Sequence, residues 1–237
     1  MRDPATTRSV ELSATSWLVI VAAYLVVPFV LIVGGRDPAW WGAWALSWVA
    51  LVAGVGGRAL AERRHPGLLA DRMRFGRGQE VAPWDRLLAP LMGFSILYLP
   101  VIVAALDHRY GWTAPFPTWV NVVGLLLCVT GYGVTVWALV ENRFFTSTVR
   151  IQTERGHRVC DSGPYRYLRH PGYAGNLLPL VGIPLALDSL WAFAATGAAL
   201  VISIVRTALE DRTLMAGLPG YRRYAQRVRY RLLPGLW

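Results

Sequence analysis

Long apolar runs separated by arginine-rich ones leave this chain few folds to choose from. From Trp17 to Val33 no side chain carries a charge, and with its flanks the run is long enough to cross roughly 30 Å of hydrocarbon. Similar runs follow at about Trp40 to Ala59, Leu87 to Leu106, Trp119 to Leu139, Tyr173 to Leu187 and Leu190 to Leu209. Backbone polar groups in a bilayer must be satisfied within their own segment, so runs of this kind become helices. The expected fold is all-α: a polytopic integral membrane helical bundle of about six transmembrane segments, the last two a helical hairpin turned at Asp188-Ser189. The segment 173–187 is short and holds Pro179 and Pro184, so full spanning, tilt, a kink and partial insertion are all compatible with it. Composition agrees, with 54% hydrophobic and only 16% charged residues.

Charge sets the orientation. All 24 positive side chains are arginine and the formal net charge is +10. They fall between apolar runs rather than along a polar face, which argues against nucleic acid and for membrane lipids, whose anionic headgroups they meet. With six spans, the chain start, the loop 58–86, the block 141–170 and the tail share one side, which then carries every arginine except Arg36 and Arg109. The positive-inside rule places that side, with both termini, in the cytoplasm of a multi-pass cell-membrane protein. Trp40, Trp41 and Trp44 form an aromatic belt at the entry to the second span. The first run lacks a small-residue cleavage site after its apolar core and reads as a retained anchor.

One stretch is shaped rather than apolar. Gly163-Pro164-Tyr165-Arg166-Tyr167-Leu168-Arg169-His170-Pro171-Gly172-Tyr173-Ala174-Gly175 lies just before the fifth apolar segment. A Gly-Pro turn does not continue a helix, and Pro171 pushes His170 out of the αR region. A basic, aromatic interfacial anchor explains the composition; the fixed backbone path and the donors Tyr165 and His170 fit a polar ligand as well. Cys128 and Cys160 suggest neither a disulfide framework nor a zinc site, and the histidines at 65, 108, 157 and 170 show no metal-ligand spacing, so no metal is expected. His65 and His108 read as loop residues. Gly131-Tyr132-Gly133 and Gly54-Val55-Gly56-Gly57 lie inside apolar spans and read as close helix contacts, not as a dinucleotide fingerprint.

Arg206 and Glu210 are one helical turn apart where the last span meets the cytoplasmic side. Their spacing puts them on one face, either as a boundary salt bridge with Asp211 and Arg212 as solvated neighbours, or with a function. The tail 210–237, with Tyr221, Tyr224, Tyr230 and Trp237 among its arginines, reads as an interfacial cap.

These residues resemble a known signature. Gly163-Pro164-Tyr165 followed by Arg169-His170-Pro171-Gly172-Tyr173-Ala174-Gly175, and then Arg206 with Glu210-Asp211-Arg212-Thr213-Leu214, Tyr221 and Tyr224, resemble the two halves of the isoprenylcysteine carboxyl methyltransferase and phospholipid methyltransferase signature. The resemblance covers about the last 90 residues; the first four spans match in hydropathy alone. It implies an integral membrane enzyme that binds S-adenosylmethionine without a Rossmann domain. It also implies a division into four N-terminal spans (1–140) and a methyltransferase catalytic region (141–237). Cosubstrate contacts are carried over to Gln152, to His157, Arg158, Val159 and Cys160, to Tyr165, to His170, Pro171, Gly172 and Tyr173, and to Glu210. The substrate-facing arginine falls on Arg206, so that Arg206 and Glu210 are the implied catalytic pair.

Under that resemblance Arg206 holds an acceptor carboxylate bidentately and Glu210 engages the cationic cosubstrate. An anionic acceptor needs no general base. The expected partner is a lipophilic small molecule or lipidated acceptor, isoprenylcysteine-like, entering from the lipid. N-methylation of an amine lipid and S-methylation of a small thiol remain alternatives. So do an NADPH-dependent sterol-type membrane reductase, which shares an Arg-His-Pro-x-Tyr motif, and a membrane scaffold without catalysis. The sequence names neither the acceptor nor the oligomeric state.

Overall fold

The computed structural model describes residues 12–73 and 81–237, and of Asp71 the backbone only. Arg2, Arg8 and Glu11 of the chain start, and Arg74 and Arg77 of the 58–86 loop, lie outside the described residues. α1 (Ala14–Phe29) opens with Ser13 as N-cap, accepting from the Ser16 amide at 3.1 Å, and runs on through a π turn, Val30–Gly34. α2 (Trp41–Leu51), a second π turn (Val52–Gly56) and α3 (Gly57–Arg64) make one continuous span. A short α4 (Leu68–Met73) follows. α5 (Asp85–Leu97) and α6 (Leu99–Tyr110) form one span broken at Tyr98, two residues before Pro100. α7 (Thr118–Glu141), α8 (Pro171–Ala186), α9 (Trp191–Gly217) and α10 (Tyr221–Arg227) complete the described helices.

Five of these helical stretches, 14–34, 41–64, 85–110, 118–141 and 191–217, are long and apolar enough to cross a membrane. The shorter α8 lies along α7, and α8 and α9 make the expected hairpin. The expectation of an all-α integral membrane bundle with about six segments is borne out.

Glycine brings α7 and α8 into backbone contact. A Cβ on Gly131 would stand 2.5 Å from the Gly175 carbonyl oxygen, and one on Gly182 would stand 2.5 Å from that of Gly124. This is the small-residue packing that lets membrane helices approach closely, and it is the role read from Gly131. Gly54 and Gly57 act alike, accepting the Tyr24 ring and the Val136 side chain.

The two ends of the bundle differ in kind. At one end three aspartates tie the interhelical turns together. Asp37 meets His108 Nε2 at 3.1 Å; Asp107 accepts from Ser189 Oγ at 2.6 Å and from the Thr113 amide at 2.8 Å; Asp188 accepts from the Phe116 amide at 2.7 Å and Asn121 Nδ2 at 2.8 Å. His108 belongs to the last turn of α6, stacked 3.8 Å from Trp40, and not to a loop as its isolated position suggested. His65 caps α3 and reaches the Val140 carbonyl at 2.9 Å. The opposite end gathers α4, the entry to α5, the block 142–170, the exit of α9 and α10.

Candidate active site

At that second end, α7 stops at Glu141 and the chain proceeds almost without regular structure to Pro171. Gly163 takes φ +52°, a left-handed value that suits glycine, and the Glu141 side chain fills the space a Cβ would need. The turn sends Tyr165 inward, its hydroxyl 3.4 Å from both Asn142 Nδ2 and the Ala138 carbonyl. His170 sits at φ −127°, outside the helical region, as the following proline requires, and Pro171 starts α8.

The two halves of the motif meet. The Tyr173 hydroxyl donates to Glu210 Oε2 and accepts from Arg206 Nη1, so Arg206 and Glu210 are joined through a phenol from α8. His170 Nδ1 lies 3.8 Å from Glu210 Oε1, and its ring stacks on that of Tyr173 at 5.9 Å between centroids. A cavity of about 420 Å³ opens here. Its wall includes His157, Arg158, Val159, Cys160, Tyr165, His170, Gly172, Tyr173, Arg206 and Glu210, and reaches into the first half of the chain at Tyr24, Arg58, Arg72, Ala89 and Met92.

Two expected residues lie outside this wall. Pro171 is buried at the helix start. Gln152 has no exposed surface; its Nε2 donates to the Phe144 carbonyl at 2.8 Å and its Oε1 accepts from Arg155 at 2.8 Å, so it braces the loop from behind. The backbone amide of Gln152 donates to His157 Nδ1 at 3.2 Å. Burial, with Arg150 and Arg155 nearby, depresses the His157 pKa to about 4, so the ring is neutral at pH 7 and its Nδ1 is free to accept. Burial raises the Cys160 thiol, which makes it a weak nucleophile.

Arg206 corrects its sequence-based role. Its bidentate edge is taken: Nε donates to Asp85 Oδ1 at 2.7 Å and Nη2 to Asp85 Oδ2 at 3.1 Å, with Nη2 also reaching the Ser147 carbonyl at 2.9 Å. Arg206 is 3% exposed and Asp85 fully buried. A guanidinium so engaged has no second fork for an acceptor carboxylate.

Asp211 is not a solvated neighbour either. It has no exposed surface and accepts from Arg169 Nη1, Arg231 Nε and Tyr221 Oη, each at 2.9 Å, with His170 Nε2 at 3.3 Å. Nor is the tail a surface cap alone. Tyr221 and Tyr224 are buried, Tyr224 Oη donates to the Tyr165 carbonyl at 2.7 Å, and the amides of Arg169 and His170 donate to the carbonyls of Tyr230 and Arg231, both at 3.0 Å. The C-terminal segment thus holds the motif's backbone in place.

Glu210 is different from both aspartates. Among the described residues its side chain meets no guanidinium, and with 22% of its surface open it presents a carboxylate to the cavity. Around Glu210 the wall offers a cationic, partly aromatic group an acid, the Tyr173 and His170 rings and residues 157–160, while arginines line other parts of it.

Residues 122–216 match the model of the isoprenylcysteine carboxyl methyltransferase (ICMT) family. A probable protein-S-isoprenylcysteine O-methyltransferase of Oryza sativa subsp. indica is 39% identical over 69 residues, 29% of this chain and 36% of the relative. The protein-S-isoprenylcysteine O-methyltransferase A of Arabidopsis thaliana is 34% identical over 70 residues, with the same coverage. The cobalt-zinc-cadmium resistance protein CzcN of Cupriavidus metallidurans is 28% identical over 120 residues, 49% of each chain. The chain spans between about a third and a half of the length of these curated relatives. The family match takes in the first motif, Gly163 to Gly175, and the second from Arg206 to Leu214 but not its Tyr221 and Tyr224; it begins inside the fourth span, further upstream than the motifs alone reach, and bears out the resemblance read from them.

Proposed function

We propose that this protein is an S-adenosylmethionine-dependent membrane methyltransferase that esterifies a carboxylate on a lipophilic, isoprenylcysteine-like acceptor at the cytoplasmic face. The observation that carries the proposal is the meeting of Tyr173 and His170 from one motif with Glu210 from the other across one cavity. Its size falls in the range of roughly 300–1,000 Å³ typical of small-molecule sites. Support also comes from the plant relatives' names and from the arginine-rich end of the bundle at which the cavity opens.

When bound there, S-adenosylmethionine would supply a sulfonium methyl group for in-line attack by a carboxylate oxygen, the O–CH3 bond forming as the S–CH3 bond breaks and S-adenosylhomocysteine leaves, with no general base needed. Glu210 is the residue to engage its cationic amino acid end, with Tyr165, His170, Tyr173 and the 157–160 backbone around it. The proposed role of Arg206 shifts from gripping the acceptor to positioning: paired with Asp85, it holds the Tyr173 hydroxyl, which in turn orients Glu210.

Calorimetric titration of the folded protein in detergent with S-adenosylmethionine tests the proposal. Saturable binding that is lost in Glu210→Ala and His170→Ala, together with label transfer to a prenylated cysteine carboxylate, is the expected result. NADPH binding in place of S-adenosylmethionine assigns the site to a reductase instead.

A further inference from the structure

Arg58 and Arg72 line the cavity and, like Arg158 on the loop after α7, have no ion-pair partner among the described residues. Arg58, in α3, donates through Nη1 to the Tyr24 hydroxyl and to the Gly54 carbonyl at 3.0 Å, and stands 5.2 Å over the Tyr24 ring. Glu62, one turn further and placed to pair with it, is used elsewhere: its two oxygens accept from the amides of Gly67 at 2.7 Å and Leu69 at 2.9 Å, fixing the start of α4. Arg72, in α4, donates to the Phe145 carbonyl at 3.1 Å and lies 5.0 Å over the Phe145 ring. Among the described residues neither arginine has an ion-pair partner, whereas Arg169, Arg206 and Arg231 all do. Burial and the neighbouring positive charge of Arg58 pull the Arg72 pKa down to about 10. Two like charges lining the same partly buried wall are unfavourable unless an anion joins them.

Position says from where an anion would come. A second cavity, of about 230 Å³, shares Tyr24, Arg58, Arg72 and Ser147 with the first and continues between α1 and α4 past Val19, Ile20, Ala23, Leu69 and Met73. Val19 is 56% exposed on the apolar face of α1, the face a bilayer covers. The lining thus passes from apolar side chains at the lipid edge to two guanidiniums, and then to Tyr173 and Glu210. Arg58 and Arg72 stand at the end shared with the second cavity, and Glu210 stands with His170 and Tyr173 in the first, whose wall also carries Arg158.

We infer that Arg58 and Arg72 bind the anionic head of an amphiphile entering sideways between α1 and α4, the carboxylate of the methyl acceptor, with the start of its tail against Val19, Ile20, Ala23, Leu69 and Met73. This deepens the proposed function and rests on it for the identity of the anion. It supplies the acceptor site that Arg206, held by Asp85, leaves unfilled. The anionic phosphate of a bilayer lipid offers the same charge and is distinguished by the test.

The test uses the full chain in neutral detergent, without cosubstrate, titrated with N-acetyl-S-farnesylcysteine and with its carboxamide, which keeps the tail and removes the charge. The wild-type protein is expected to bind the carboxylate at least tenfold more tightly than the carboxamide. Arg58→Gln and Arg72→Gln each reduce that preference about fivefold or more, while carboxamide affinity and S-adenosylmethionine binding stay within twofold. Arg58→Lys and Arg72→Lys keep most of the preference. Equal wild-type binding of the two probes overturns the inference with no variant needed, as does an unchanged preference in both glutamine variants. Phosphatidylglycerol in mixed micelles displacing the carboxylate probe from wild type, where phosphatidylcholine does not, reassigns the arginines to a lipid headgroup and overturns the acceptor site. Absence of S-adenosylmethionine binding, read in a separate titration, refutes the proposed function and leaves the probe comparison standing by itself.

Discussion

Asp85 and Arg206, 121 residues apart, form a two-pronged buried ion pair with contacts of 2.7 and 3.1 Å. Asp85 stands at the first residue of α5 and Arg206 in the C-terminal half of α9, so the pair stitches the first half of the chain to the motif-bearing half. Asp85 Oδ2 also accepts from the Val149 amide, and Arg206 Nη2 donates to the Ser147 carbonyl, which draws the loop after α7 onto the same anchor.

Breaking such a pair from one side leaves an uncompensated buried charge, at a cost of about 3–5 kcal/mol. Asp85→Ala is therefore expected to lower the thermal midpoint in detergent more than any single surface arginine substitution. Asp85→Leu combined with Arg206→Met removes both charges and is expected to destabilise less than the sum of the single changes. Additive losses in that double-mutant cycle would show that the two side chains are not coupled.

The α7–α8 crossing makes a second, sharper contrast. A methyl group on Gly131 meets the Gly175 carbonyl oxygen at 2.5 Å, whereas one on Gly133 meets nothing within 4 Å. Gly131→Ala must push the helices apart, costing about 1–3 kcal/mol. Because Gly175 lies one turn from Gly172 and Tyr173, ligand binding weakens with it. Gly133→Ala faces open space and gains up to about 1 kcal/mol of helix propensity. Unfolding midpoints of the two variants should move in opposite directions; a shared direction contradicts the packing.

These contrasts also mark where the sequence was informative. The spans were legible because an uncharged run of this length has one structural solution, and Gly131 was legible because a glycine in such a run has few other uses. The two motifs are local and spelled out residue by residue. Asp85 was not legible: it precedes Arg86 at the edge of an arginine-rich loop, and nothing periodic links it to a partner 121 positions away. Adjacent acids posed a related problem. Consecutive helical residues are turned about 100° from one another, so Glu210 faces the cavity while Asp211 is enclosed by Arg169, Arg231, His170 and Tyr221; the sequence does not say which face is which. Backbone contacts from Tyr230 and Arg231 to the motif leave no side-chain signature at all.

His157 gives the pH dependence. Its folded pKa of about 4 lies below its ordinary value of 6.5, so above about pH 6.5 both folded and unfolded chains carry a neutral ring and its contribution is constant. Between pH 6.5 and 4 the unfolded chain takes up a proton that the folded one refuses, and stability falls as pH falls. Protonation of Nδ1 also forfeits the bond from the Gln152 amide. His157→Phe keeps an aromatic ring against Phe144, 4.6 Å away, and removes the titration. Unfolding midpoints measured from pH 8 to pH 4.5 should decline more steeply for wild type than for the variant below pH 6.5. Parallel curves would assign the acid sensitivity to other groups.

Among the described residues the Tyr173 hydroxyl is the one group that touches both Arg206 and Glu210, accepting from the first and donating to the second. Tyr173→Phe keeps the ring, and with it the stacking on His170, but strands one guanidinium proton and one carboxylate oxygen. Hydrogen bonds to charged groups contribute about 1.5–3 kcal/mol each. If the phenol orients Glu210 toward a bound cation, most of that loss appears as weaker S-adenosylmethionine binding, about 10- to 100-fold by calorimetry, with the thermal midpoint of the unliganded protein only modestly lowered because Glu210 is partly open to water. Glu210→Gln should give a similar loss, and the double variant little more than either single one, since both act through the same contact. Full additivity of the two losses would separate the tyrosine from the acid and remove Tyr173 as the link through which Arg206 acts on the site.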